Sequence, residues 1–313
     1  MSYWLFDKQV LTPPSGTGGL RILKNRIAGG LMFTITVASI LLVVLIGLGL
    51  YLKSVPIFEQ KSLWQLVSSS EWKPGKGEFG FLPFIAGTLW VTGIAVILAV
   101  PISLFTAIFI TEHSKPYVKK WIFPALDILA GIPSVVYGVW GILLIVPWIS
   151  EKLAPHFVEY STGYTTLSGG IVLAVMILPL LISLFVEIFS AVPKEFRDAS
   201  LSLGATKWQT SKHVILRKAL PGILAAVMLA ISRAFGETIA VLMVCGNIPE
   251  IPKSLFDSCY PLPALIANNY GEMLSIPLYE SALMLAAFFL FVVVLLFNVS
   301  SRTIIYTIER KFK

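Results

Sequence analysis

The chain has 313 residues, 56% of them hydrophobic and 13% charged, with a mean hydropathy of +0.83. A soluble domain is about a quarter charged, so this chain has too little charge to coat a water-facing surface and too much apolar content to be disordered. Its formal net charge of +7 fits basic residues marking the inner side of a membrane, and its two cysteines, Cys245 and Cys259, make neither a disulfide scaffold nor a metal site.

A helix needs about 20 mostly apolar residues to cross a hydrocarbon core of about 30 Å. Leu31 to Leu52 is the first stretch of that kind, preceded by a Pro- and Gly-rich lead at Thr12 to Gly19. It starts too late and runs too long for a cleaved signal peptide. Five more follow: Phe84 to Thr111, Trp121 to Ile149, Leu167 to Ser190, Pro221 to Gly246 and Ser281 to Tyr306. With the N-terminus inside, the inward-facing segments hold 17 of the 24 lysines and arginines. That bias predicts an all-α, multi-pass protein of six spans with both termini cytoplasmic. It divides the chain into a cytoplasmic segment 1–30 and a membrane domain 31–310. Within that domain, 191–220 is a cytoplasmic loop and 53–83, 150–166 and 247–280 are external. The long external loops carry Trp64, Trp72, Tyr260 and Tyr270, as interfacial anchors or as a docking surface for an external partner.

The 191–220 loop reads as a compact helix–turn–helix. Pro193 suits a first helical position, Gly204 the place just past a helix end, and Thr206 the cap of a second helix from Lys207. Its outline and basic charge match a DNA-binding motif, but it is tethered at both ends to spans, which argues against nucleic acid. Two readings remain: a plain connection, or a rigid projection that docks on a cytoplasmic partner. Asp198-Ala199-Ser200, then Gly204, then Val214-Ile215-Leu216 resembles the EAA loop of ABC importer permeases. Asp198 and Ser200 depart from that pattern's Glu and second Ala, and Arg217 stands where it has a Pro. The resemblance implies docking on an ATP-binding subunit. No Gly-x-x-x-x-Gly-Lys-Ser/Thr loop is present in the chain, so the ATP and Mg of such a system belong on a partner, with no cofactor bound here.

Arg233 lies twelve residues beyond Pro221, about 18 Å along a helix, where an arginine costs at least about 2.5–3.5 kcal/mol. Glu237, one turn later, is within pairing reach on a continuous helix. Either the two neutralise each other and pack spans together, or they mark an anion path, with Ser232 and Thr238 adding hydroxyls. Ala230, Ala234 and Gly236 would permit close helix approach. Asp127 and Glu187 are weaker candidates near span ends. In span three, Gly131, Pro133 and Ser134 mark a kink, hinge or pore-lining break, since Pro133 frees a carbonyl that needs a donor such as Ser134.

Gly-Ile-Pro-Ser-Val-Val-Tyr-Gly at 131–138 and Ser-Arg-Ala-Phe-Gly-Glu-Thr at 232–238 resemble the permeases of the phosphate-specific ABC importer. The continuations at 239–247 and 79–89 are closer to its C-type subunit. The resemblance covers roughly residues 75–310. It implies an inner-membrane importer of inorganic phosphate working by alternating access. The implied partners are a second homologous permease, a cytoplasmic ATP-binding subunit dimer, an external phosphate-binding protein and the lipid around them. Another oxyanion such as molybdate or sulfate is the nearest alternative, and a non-transporting sensor another. A membrane-embedded enzyme is disfavoured, since His113, His156 and His213 fall outside the spans.

Overall fold

The computed structural model describes residues 18–271, 276 and 278–311. Residues 1–17, which include most of the Thr12 to Gly19 lead, lie outside the described residues. Among the described residues, six helical stretches are long and apolar enough to span a membrane: 21–58, 82–113, 134–156, 166–190, 207–235 and 279–303.

The first helix, α1 (Gly18–Phe58), extends beyond the predicted span at both ends. Residues 18–49 form a unit by themselves, and the apolar side chains from Ile22 to Leu48 are exposed.

The second unit begins at Leu50 and holds two apolar clusters. One is a small cap. Here α2 (Leu63–Ser68) is followed by a two-stranded antiparallel hairpin, β1 (Trp72–Lys73) and β2 (Glu78–Phe79), with Trp72 opposite Phe79. Trp72 sits among Phe79, Phe81, Phe84 and Tyr279, with ring centroids 4.9–6.1 Å apart. Tyr260 is buried against Phe84. These two aromatics therefore belong to the cap's interior, whereas Trp64 and Tyr270 are exposed.

The larger cluster is built around α3 (Leu82–Ile108), α7 (Thr166–Ser190) and α10 (Leu216–Phe235), which pack on one another. Proline stands inside all three, as Pro101, Pro179 and Pro221, a position that helices packed within a membrane tolerate. At the start of α7, the N–H groups of Thr166 and Leu167 donate to the Asp257 and Leu255 carbonyls at 2.8 and 3.0 Å. A segment far along the chain thus satisfies donors that every helix start leaves open. Cys245 and Cys259 are both buried and share a backbone bridge, the Cys259 N–H donating to the Cys245 carbonyl at 2.9 Å.

Two predicted spans are corrected. The stretch 121–149 is not one helix: α4 (Pro116–Gly131) ends, Ile132 and Pro133 are extended, and α5 (Ser134–Trp140) begins the actual span. That span continues through α6 (Val146–Trp148) and wider helical turns to His156. Likewise 221–246 is not one helix. Pro221 lies inside a rod that starts at Lys207 and stops at Phe235, and α11 (Ile239–Val244) is separate. After α12 (Leu262–Asn269), α13 (Tyr279–Lys311) closes the chain and packs along α10.

Candidate functional site

The helices that follow the two breaks pack together. The 131–138 run separates α4 from α5, the 232–238 run separates α10 from α11, and α5 packs on α11. Gly138 makes this contact possible: a Cβ there would fall 2.5 Å from Met243 Sδ and 3.3 Å from Ala240 Cα.

At the first break, Leu129 would bond the residue four places on, which is Pro133 and has no N–H. Its carbonyl accepts instead from the Tyr137 hydroxyl at 2.8 Å, with the Ile132 N–H at 3.3 Å. The expected donor, Ser134, makes no such bond; it starts α5 behind Pro133, whose extended backbone (φ −60°, ψ 144°) turns the chain. Gly131 and Pro133 are exposed, and Tyr137 is buried.

At the second break, the Gly236 and Glu237 N–H groups fold back onto the Arg233 and Ala234 carbonyls at 3.1 and 3.2 Å. This ends the helix before Glu237, which therefore does not stand one turn above Arg233. Among the described residues no ion pair joins the two. Arg233 is exposed and makes no hydrogen bond among the described residues, and its charge acts on the Tyr137 hydroxyl. Glu237 and Thr238 are half-buried, the Thr238 hydroxyl donating to the Gly236 carbonyl at 3.1 Å.

Ser232 points the other way. It is buried, and its hydroxyl accepts from the Asn298 side-chain amide on α13 at 2.8 Å. Ser301 Oγ adds a bond to the Ala225 carbonyl at 3.3 Å. Small buried Ala226, Ala230 and Ala234 let α10 approach its neighbours. Gly236 takes no part in this; a Cβ there would meet only its own chain's carbonyls, at 3.6 Å or more. Asn298 escapes a reading of intramembrane charge because it carries none. Its signal is that it interrupts the apolar run 282–297.

The 191–220 loop forms two helices with local signals at their ends. Pro193 is the residue before α8 (Lys194–Ser202), one place earlier than expected. Gly204 adopts φ +82°, and the Gly204 and Ala205 N–H groups return to the Leu201 and Ser200 carbonyls at 2.9 and 3.3 Å. This closure needs a left-handed residue. Thr206 caps α9 (Lys207–Thr210) reciprocally: its hydroxyl accepts from the Gln209 N–H, and the Gln209 carboxamide oxygen accepts from the Thr206 N–H. Asp198, Ala199 and Gly204 are exposed, and Ser200 bonds Thr210 Oγ1 at 2.9 Å. Leu216 is half-buried at the start of α10. Leu203 is 89% exposed and Trp208 50%, so the turn presents apolar side chains outward.

Residues 99–313 match the family described as the binding-protein-dependent transport system inner membrane component. The chain belongs to this permease family. It is 34% identical over 257 residues to a phosphate transport system permease protein of Xylella fastidiosa, covering 78% of this chain and 79% of that one. A protein of the same description from Haemophilus influenzae is 33% identical, over 89% of this permease and 94% of its relative. In fold it is similar to a chain of the bacterial alginate ABC transporter crystallised with a pentasaccharide-bound periplasmic protein. There the TM-score is 0.57 at 13% identity, covering 90% of this permease and 96% of that chain. This permease is thus a multi-pass membrane component of a partnered ABC transport system, and its role is transport rather than catalysis.

Proposed function

We propose that this permease is a membrane subunit of an ATP-driven importer of inorganic phosphate. The observation that carries the reading is Arg233, a permanent cation on a membrane-length helix, exposed and with no carboxylate paired to it among the described residues. An arginine on a spanning helix persists where it faces protein or water, and its planar donors suit two oxygens of a tetrahedral anion at once. Phosphate, in particular, is named for the relatives above. Glu237 and Thr238 flank the same break, and Gly131, Pro133 and Ser134 form the facing one. Ser232, turned toward Asn298, acts in helix packing.

The 191–220 loop is read as the docking element for a cytoplasmic ATP-binding subunit dimer, which would carry ATP and Mg. Asp198, Ala199, Ser200, Gly204 and Leu216 shape that element, and exposed Leu203 and Trp208 supply apolar contact. Both termini would then be cytoplasmic, with a second homologous permease alongside and a phosphate-binding protein on the outer face. Closure of the ATPase dimer would move the loop, and the spans would rock around the path. Contact with Arg233 is transient in this scheme, because a tight site would slow release.

Arg233→Gln should abolish uptake of radiolabelled phosphate while leaving co-purification with the ATP-binding subunit intact. Full uptake by that variant rules out the site. Competition by molybdate or sulfate as effective as that by phosphate would reassign the anion.

A further inference from the structure

The docking helix α8 has no buried residue of its own, so apolar packing does not fix it to the membrane helices. Polar contacts hold it instead: Ser200 bonds Thr210, the Lys218 ammonium lies 4.6 Å over the Phe196 ring, and Arg197, whose side chain is 18% exposed, reaches the ends of two other spans. Its Nε donates to both oxygens of Glu112 at 3.1 and 3.3 Å, and its Nη2 to Oε1 at 3.0 Å. Glu112, 13% exposed, stands on the helical turn 109–113 that extends α3. The remaining donors reach the end of α7: Nη2 bonds the Phe189 carbonyl at 2.7 Å and Nη1 the Val192 carbonyl at 2.5 Å. A guanidinium is thus held by one carboxylate and by carbonyls where the α7 dipole is negative. One side chain joins the docking helix to the ends of two spans. Such a fork cannot be reproduced by a lysine, a point charge without planar geometry.

We propose that Arg197 and Glu112 form a positioning pair that makes the docking helix move as one body with the ends of α3 and α7, so that breaking it uncouples ATP hydrolysis from transport. This rests on the importer reading above. It assigns neither residue to the anion path or to the surface that touches the ATPase.

The test is the complete complex in proteoliposomes with inorganic phosphate, scored as phosphate moved per ATP hydrolysed. Glu112→Gln leaves the guanidinium without its counter-charge, and Arg197→Lys keeps the charge without the fork. Both should lower the ratio about tenfold or more, as expected for opening a largely buried pair, with co-purification and basal hydrolysis unchanged. A merely structural role would reduce transport and hydrolysis together and leave the ratio alone. A wild-type ratio in both variants overturns the pair while the importer reading stands. Failure of both variants to assemble also overturns it, showing the pair to be scaffolding. A wild-type complex that hydrolyses ATP without moving phosphate overturns the importer reading and the inference with it.

Discussion

A carbonyl deprived of its donor by Pro133 is rescued by a hydroxyl one turn further on, and the bond from Tyr137 to Leu129 can be tested alone. Tyr137→Phe keeps the ring and removes the donor. Losing one such hydrogen bond costs about 0.5–1.5 kcal/mol, so the variant should unfold at a lower temperature in detergent; an unchanged midpoint would show that the bond contributes nothing. The sequence makes the need for a donor plain but not its identity. Ser134 is adjacent, yet its short side chain follows the extended turn of Pro133, while the longer Tyr137 reaches back across it. Arg233 is legible because a charge inside a long apolar run stands out wherever in that run it lies. Its pairing with Glu237 is not, since spacing of four means one face only while the helix lasts, and this one ends at Phe235.

Helix ends in the 191–220 segment were readable because capping is local chemistry. Thr206 with Gln209, and Gly204, act on backbone groups within a few residues. At Gly204 the φ of +82° makes a specific demand. Gly204→Ala should cost about 1–2 kcal/mol, the penalty of a Cβ in the left-handed region, and should weaken co-purification with the ATP-binding subunit proposed above. The space around this glycine is open, so steric crowding would not account for such a loss. Helix continuity was harder to read. Hydropathy runs straight through the break at Ile132 and Pro133, and a proline at 221 looks like a start although neighbouring helices allow it inside a rod.

Across the molecule, six spans follow from length and apolarity, but the cap does not. Its aromatics come from residues 57–84 and 260–289, and no local rule says that such distant segments share a core. Which face is inside can be tested with the chain's own chemistry. Native Cys245 and Cys259 are fully buried, so a membrane-impermeant maleimide should leave the folded wild-type protein unlabelled. Leu203 is 89% exposed and Tyr160 83%, and α7 alone, 25 residues and about 37 Å long, lies between their segments. In intact cells Tyr160→Cys should label and Leu203→Cys should not, with the opposite result in inverted vesicles. Labelling of both from one side would contradict the predicted topology.

The helical rod from Lys207 to Phe235, which includes a wider turn at Ser211–Ile215 and Pro221, has a mechanical consequence. Its 29 residues make a lever of about 43 Å, so a rotation of about 5° at one end sweeps the other through about 4 Å. Trp208 and Arg233 sit near opposite ends of that lever. A displacement larger than an ordinary hydrogen bond can therefore reach the guanidinium along this rod, with any bending at the Ser211–Ile215 turn and at Pro221 taking up part of the stroke.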